Sequence, residues 1–293
     1  MNGILNINKP VGMTSFDVVK KVKTILNIKK VGHTGTLDPG ASGVLPVCIG
    51  RATKLVDYIM QGRKTYIAEL RLGIATDTYD KYGNIISKSD VNIDQNQLID
   101  TISSFIGNIK QIPPMYSALK VNGKRLYDLA RQGIEIERKS RDITIYNIDI
   151  MNINIPYVKL KVECSKGTYI RSLCYDIGKS LSCGGAMWSL VRTHTGEFDI
   201  LNSISINDLN NENVLQHIIP MDKALNKCPK VFVKHNFKKN VLNGIPIYDE
   251  EFLKYVNPDE IYRVYIDRDQ FIGIGMNNGN TGFKMIKLLI RGN

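Results

Sequence analysis

Residues 31–45 read VGHTGTLDPGASGVL, a segment with four glycines, one proline and a single carboxylate, that of Asp38. Glycine serves where the backbone takes a positive φ or lets another chain approach closely, and Pro39 fixes the φ angle directly after Asp38. The apolar run at 44–49 predicts a buried element that anchors this loop. A turn whose carboxylate only caps neighbouring N–H groups is one interpretation. An anchored loop with a lone acid is also typical of an active site.

The composition favours a globular protein with a polyanionic partner. The chain has 293 residues, 43% of them hydrophobic, which is enough for a large core in one or two domains. Its 39 basic and 28 acidic residues give a net charge of +11, so nucleic acid is the first expected partner. No segment approaches the roughly 18 apolar residues of a membrane span. We therefore expect a soluble, cytoplasmic protein without a membrane partner.

The cysteines and histidines indicate neither a disulfide framework nor a metal site. The cysteines are odd in number and contain no C-x-x-C pair, so we expect buried thiols in a reducing cytoplasm. They are Cys48, Cys164, Cys174, Cys183 and Cys228. The four histidines are scattered without the spacing of metal ligands, and we expect no bound metal. They are His33, His194, His217 and His235.

Hydrophobic periodicity predicts helices and strands mixed along the first 228 residues. The predicted strands are 3–8, 64–72, 143–155 and 158–164, and the predicted helices are 14–26, 95–106 and one that follows Gly167 and ends at Leu181. Tyr66 shares a strand face with core residues, which by itself favours a packing role. Arg171 lies in the first turn of its helix and off the apolar stripe, so we expect it to reach a site from outside the core.

A change of pattern predicts a second domain at the end of the chain. A polar connection at 207–213 and the prolines at 220 and 229 separate the regular part from a tail of short apolar runs. We place the domain boundary near 228, with domains at 1–228 and 229–293. The tail fits a compact, mostly β module.

Several motifs together carry a resemblance to one family. The segment 32–45 resembles the catalytic-aspartate motif of the TruB family of tRNA pseudouridine synthases. Lys9-Pro10 with residues 12–15, Lys64-Thr65-Tyr66, and the segments 113–120 and 164–171 are similar to further family motifs, in the family's order. The tail looks like the small PUA-type RNA-binding domain of these enzymes. One departure is Val191, which stands where the family usually has the first of two basic residues after the leucine.

The resemblance implies a fold, a reaction and roles for residues. The expected fold is α+β, with a central, mostly antiparallel sheet flanked by helices and a small β-rich PUA-like domain. The expected reaction converts uridine to pseudouridine at position 55 in the T-loop of tRNA, without a cofactor. Asp38 would act as nucleophile or general base, and Arg171 would pair with it and favour its anionic form. Chemistry on a base also requires that the base leave the stack.

The remaining implied roles concern the substrate. Tyr66 would stack on the flipped base and help to remove the carbon-5 proton, which makes it the third catalytic residue. His33 would take the place of the extruded base in the RNA, and Leu190 would line the pocket. Lys9 and Lys64 complete the predicted substrate-binding set, Lys9 mainly as a support of the loop. The T stem-loop of tRNA is the expected partner, and a monomer is expected by analogy.

Other functions stay open at this point. A glycoside hydrolase would also act at an anomeric carbon, but it normally needs a second carboxylate, for which Asp77 or Asp80 are candidates. A nucleotide-binding enzyme is disfavoured because the sequence lacks G-x-x-x-x-G-K-[ST]. A non-catalytic RNA-binding module or tRNA-folding chaperone would keep the fold without chemistry.

Overall fold

The computed structural model describes residues 1–117, 119–121, 123–267 and 269–290, with the backbone alone at 120 and 125. Ala118, in the middle of the predicted motif at 113–120, therefore lies outside the described residues. The helices are α1 Ser15–Leu26, α2 Val56–Ile59, α3 Gln95–Ser103, α4 Leu126–Arg131, α5 Ile170–Ser180, α6 Lys238–Leu242 and α7 Glu250–Leu253. The first ten strands are β1 Gly3–Lys9, β2 Val31–His33, β3 Ser42–Ile49, β4 Lys64–Leu72, β5 Ile74–Thr76, β6 Ile85–Lys88, β7 Gly107–Gln111, β8 Lys120–Val121, β9 Lys124–Arg125 and β10 Arg141–Asn154. The others are β11 Tyr157–Cys164, β12 Gly185–Thr195, β13 Phe198–Asp199, β14 Ile204–Ser205, β15 Ile218–Ile219, β16 Lys230–Phe232, β17 Ile261–Ile266, β18 Gln270–Asn277 and β19 Phe283–Leu288.

One large mixed sheet dominates the part of the chain before residue 228. Across the described residues it has 11 strands, in the order β14-β1-β3-β12-β4-β11-β10-β7, with β13, β15 and β2 paired to its members. Neighbours run antiparallel except at β1–β14 and β3–β12, which are parallel. The predicted α+β fold, with a mostly antiparallel sheet and flanking helices, is confirmed.

Strand β12 lies between β3 and β4 and so brings distant parts of the sequence together. On one side Arg192 pairs with Gly43 of β3, and on the other it pairs with Tyr66 of β4. Gly43 has a φ of 106°, and a Cβ there would lie 2.2 Å from the carbonyl oxygen of Arg192, so only glycine allows the two strands to approach. The pairing places the end of the 31–45 segment beside the predicted tyrosine strand.

The alternation predicted for β4 is present residue by residue. Its even-numbered residues are buried and its odd-numbered residues are half-exposed, as expected for a strand with one face in the core. Tyr66 is buried on the core face beside Ala68 and Leu70. The prediction of this strand is therefore confirmed in both its bounds and its face.

Helix α1 also follows its sequence signals. Thr14 and Asp17 form a reciprocal capping box, and Asn27 ends the helix in the left-handed conformation. By contrast, α3 ends at Ser103, three residues before the predicted end. The hydroxyl groups of Ser103 and Ser104 bond carbonyls of their own helix, and Gly107 takes a φ of 115°. Local side-chain hydrogen bonds thus compete with continuation of the helix.

The tail forms a second, four-stranded sheet in the order β16-β17-β18-β19. Its core consists of residues from the tail, with Val264 and Phe283 among the fully buried ones. A separate apolar cluster joins Ile274 and Leu289 of the tail to Ile4, Val44 and other residues of the large sheet. The division near 228 and the PUA-like character of the tail stay predictions.

Candidate active site

The loop that carries Asp38 connects β2 to β3 and is fixed at several points. The Ser15 hydroxyl accepts a hydrogen bond from the Leu37 N–H at 2.8 Å and donates one to the Leu37 carbonyl at 3.0 Å. The Gly12 N–H donates to the Pro39 carbonyl at 2.8 Å, and the Ala41 N–H to that of Asp38 at 3.0 Å. Residues 34–41, the Asp38 loop, are thus tied to the start of α1 on both sides of the carboxylate.

Arg171 meets Asp38 as predicted. Its Nε lies 2.9 Å from Oδ2 of Asp38, whose side chain is 39% exposed. Its Nη1 donates to the Thr78 carbonyl at 3.2 Å and its Nη2 to the Tyr116 carbonyl at 2.8 Å. Arg171 is itself buried, so the prediction that it stays out of the core was wrong. Helix α5 packs against β12, and the guanidinium is buried because backbone carbonyls and carboxylates satisfy it.

Asp80 is a site residue that sequence reasoning did not assign to this chemistry. Its Oδ2 lies 3.9 Å from Nη1 of Arg171. Its Oδ1 accepts hydrogen bonds from the Thr78 hydroxyl at 2.7 Å and from the Tyr82 N–H at 3.0 Å. The carboxylate therefore organises its own loop around Arg171. Asp77, the other candidate second carboxylate, binds Asn84 through both oxygens.

Arg192 is a second residue of the site that was not predicted there. From the sequence it is the remaining member of the family's pair of basic residues, whose first position is taken by Val191. It is fully buried, and it donates from Nε to the Val44 carbonyl at 2.8 Å and from Nη2 to the Gly35 carbonyl at 3.1 Å. Burial raises the pKa of Tyr66 above its usual value, and the positive charge of Arg192 is the largest effect that opposes this rise. A signal was available in the alternation of β12, which puts Arg192 on the same face as buried Leu190.

His33 directly precedes the Asp38 loop, and Leu190 lies on β12 two residues before Arg192. The Gly35 N–H lies 3.3 Å from Nδ1 of His33 and donates to it, which makes Nδ1 an acceptor and places the proton of the neutral ring on Nε2. Burial, and then the positive charge of Arg192, lower the pKa of His33 below 6.5, so the ring is neutral at pH 7. Leu190 is buried and pairs across the sheet with Ala68.

Lys9 and Lys64 are buried, and their ammonium groups donate hydrogen bonds to backbone carbonyls. Lys9 donates to the carbonyls of Pro10 and Met13, and Lys64 to those of Met60 and Gly62. Burial lowers the pKa of each lysine to about 8, and for Lys9 the charge of Asp38 opposes this shift. Their substrate-binding role stays a prediction, and this geometry favours support of the surrounding turns.

Among the described residues, no group of three or more His, Cys, Asp or Glu side chains is placed to hold a metal ion. No helix in the described part of the chain is long and apolar enough to cross a membrane.

The five cysteines are free, and four are buried as predicted, whereas Cys228 is only half-buried because it lies in the connection between the two sheets.

The arrangement as a whole unites residues from four distant segments. The Asp38 loop, Tyr66 of β4, Arg171 of α5 and Arg192 of β12 lie together, and Asp80 adjoins Arg171. Leu190 lies on the same strand as Arg192, and its role in lining a pocket stays a prediction. A half-exposed carboxylate held by a guanidinium beside a buried aromatic ring is suited to act on a flat, uncharged base.

Comparison with known proteins places this arrangement in a family. Residues 23–170 match the profile of the TruB family pseudouridylate synthase N-terminal domain, and residues 171–226 match that of the tRNA pseudouridylate synthase B C-terminal domain. Both matched segments end before the four-stranded sheet of the tail.

Individual proteins and structures agree with these profiles. The chain is 60% identical over 290 residues to tRNA pseudouridine synthase B of Clostridium kluyveri and 54% identical to that of Clostridium novyi, covering 99% of this chain and 100% of each relative. Among solved structures, a Cbf5-Nop10-Gar1 complex matches with a TM-score of 0.75 at 27% identity, over 99% of this chain and 85% of the other. An H/ACA RNP bound to a substrate RNA containing 2'-deoxyuridine matches with a TM-score of 0.73 at 25% identity, over 98% and 85%. On this sequence and structural agreement, the chain belongs to the TruB family of pseudouridylate synthases.

Proposed function

We propose that this protein converts the uridine at position 55 in the T-loop of tRNA to pseudouridine, with Asp38 as the essential residue. The family gives the reaction class, an isomerisation of uridine in tRNA. The position in the T-loop and the role of Asp38 are the proposed part. The observation that carries the proposal is the 2.9 Å pair between Asp38 and Arg171 on a loop anchored to α1 and to β3.

The reaction breaks the N-glycosidic bond, turns the freed base and rejoins it through carbon 5, so the nucleotide keeps its composition and its oxidation state. A carboxylate acts in it either on the ribose as nucleophile or as a general base. Arg171 supports both roles because its guanidinium holds Oδ2 of Asp38 in place and compensates its charge. The other Asp38 oxygen is the one left to face the substrate.

Tyr66 is suited to stack on the base in the pocket. Since burial raises its pKa, the phenol is protonated at neutral pH. Its hydroxyl can accept the carbon-5 proton only after its own proton has passed to the Asp38 carboxylate, and Arg192 stabilises the phenolate charge that then develops. The ring therefore orients the base, and the hydroxyl assists the proton transfer.

Base extrusion accounts for the exposed part of the site. Unstacking a base costs a few kcal/mol, least in a loop, where bases are already partly unpaired. His33 ends β2, directly before the Asp38 loop, as a neutral, half-buried ring, which can replace the extruded uridine in the stack. The net charge of +11 adds attraction for the phosphate backbone.

The test uses unmodified T stem-loop RNA without added metal or nucleotide. We expect the wild-type protein to produce a carbodiimide-adduct stop at the T-loop uridine in primer extension, and Asp38→Asn to produce none. Glu163→Gln is the matched control, because the Glu163 side chain is 36% exposed and pairs with Arg63 at 3.0 Å outside the site. Glu163→Gln should retain wild-type activity.

The outcomes separate the alternatives. Binding of the RNA by the wild-type protein without any product would contradict catalysis on this substrate and favour the binding-module or chaperone function. Release of free uracil would indicate a hydrolase, because an isomerase releases none. Action in the cytoplasm and as a monomer stays a prediction, and gel filtration of the wild-type protein tests the latter.

A further inference from the structure

Tyr82 presents an exposed aromatic ring beside the candidate active site. It lies in the turn between β5 and β6, and it is 62% exposed although it is a large aromatic residue. The Lys81 ammonium group lies 5.2 Å from the centre of the ring. A flat aromatic face with an adjacent cation is the combination that binds unpaired bases in single-stranded nucleic acids.

The ring lies directly against the Asp38 loop. A Cβ added to Gly40 would fall 2.1 Å from Cε2 of Tyr82, so the ring edge packs on the bare Cα of that glycine. Gly40 is two residues after Asp38. Any RNA that offers a uridine to Asp38 therefore passes close to this ring.

The turn that carries Tyr82 is rigid. The Tyr82 N–H donates to Oδ1 of Asp80, whose other carboxylate oxygen faces Arg171. The Lys81 N–H donates to the Met187 carbonyl at 3.1 Å, and the Met187 N–H donates to the Tyr79 carbonyl at 2.9 Å. The ring is thus held in fixed relation to the Arg171–Asp38 pair, and little conformational entropy is lost when a base stacks on it.

We propose that Tyr82 is a stacking platform for an unpaired base of the substrate RNA next to the target uridine. This inference rests on the proposed function. When the uridine leaves the stack, its neighbours in the loop lose a stacking partner, and an aromatic face beside the catalytic carboxylate restores one. Lys81 adds a charge for the adjoining phosphate.

The test compares full-length variants for binding and for catalysis on T stem-loop RNA. We expect Tyr82→Ala to raise the Kd about tenfold, within the range of one base–aromatic stack. Tyr82→Trp should bind at least as well as the wild type, since it keeps a stacking face. Because the side chain is exposed, the urea midpoints of both variants should equal that of the wild type.

A series of RNAs, each with a single abasic nucleotide at a different loop position, identifies the base that stacks on Tyr82. For the wild-type protein, an abasic nucleotide at one position beside the target uridine should raise the Kd about tenfold. The same abasic RNA should bind Tyr82→Ala with no further loss of affinity, because the ring on which that base stacks is already missing. Tyr146→Ala is the matched control: this ring is also exposed, at 39%, and also has a cation against it, the Arg63 guanidinium at 3.9 Å from the ring centre, but it lies on β10. It should show the wild-type pattern.

Three results would overturn the inference. They are wild-type binding by Tyr82→Ala, additive losses at every abasic position, or an equal effect of Tyr146→Ala. In each of these, pseudouridine formation by the wild-type protein would leave the proposed function intact. If the wild type binds the RNA but forms no pseudouridine, the proposed function fails, and a normal abasic pattern would make Tyr82 part of a binding surface only. If it does not bind the RNA, both fail.

Discussion

At the scale of single residues, Arg171 is the group on which the site depends most. It holds the carboxylate of Asp38 and, through Asp80 and the Thr78 carbonyl, the neighbouring turn. A guanidinium can do this because its donors point in several fixed directions, whereas an ammonium group on the same stem could not bond all these partners in one plane. One buried side chain therefore fixes both the acid and the ring of Tyr82.

The buried lysine at 64 gives a prediction for stability. Burial, and then the charge of Arg192, lower the pKa of Lys64 from 10.5 to about 8. Between these values the unfolded state binds more protons than the folded state, so this residue makes the free energy of unfolding rise as the pH increases from about 8 to about 10.5. Lys64→Met lacks this contribution.

Urea unfolding of both proteins across that pH range tests the prediction. The stability of the wild type relative to Lys64→Met should increase with pH. Cys164, whose thiol interacts with Lys64, is replaced by alanine in both proteins, and the other cysteines and the tyrosines are common to both and cancel in the difference. A difference that stays constant with pH would mean that Lys64 has an ordinary pKa in the folded protein.

At the scale of elements, the start of α1 supports both the helix and the Asp38 loop. Thr14 caps the helix, whereas Ser15 bonds the backbone of Leu37 through its hydroxyl. We expect Ser15→Ala to destabilise the protein by about 2 kcal/mol, since two buried backbone groups lose a partner. It should also slow single-turnover pseudouridine formation, because Leu37 precedes Asp38.

Thr14→Ala is the matched variant for this effect. It should cost about 1 kcal/mol of stability through loss of the cap, with a single-turnover rate close to that of the wild type. Urea unfolding and single-turnover kinetics at saturating protein measure the two quantities. If both variants slow the reaction equally, the hydroxyl of Ser15 does not position the loop.

At the scale of the whole molecule, charge controls the association with RNA and the site controls the chemistry. With a net charge of +11, binding should release counterions from the RNA, and log Kd should rise linearly with log salt concentration. We expect the Kd for T stem-loop RNA to rise at least about tenfold between 50 and 200 mM KCl. The single-turnover rate at saturating protein should change little, because Arg171 is buried beside Asp38. Equal salt dependence of both quantities would contradict this separation.

Much of the local structure could be predicted from the sequence. The capping box of α1, the alternation of β4 and the family itself are properties of short segments, in which each residue interacts with its near neighbours. The length of α3 could not be predicted, because two serine hydroxyls bond the helix backbone in preference to its continuation. Segments whose ends depend on such competition are the ones where periodicity is least informative.

The sequence by itself determined the loop with Asp38, the family and the pairing of Asp38 with Arg171, because these follow from motifs that keep their order along the chain. Only the tertiary structure decided that Arg192 and Arg171 are buried, that Asp80 joins the site and that Tyr82 borders it. The reason is that a charged side chain can be buried only where several distant backbone carbonyls and carboxylates converge on it. That convergence depends on the parallel pairing of β12 with β3, which relates residues far apart in the sequence.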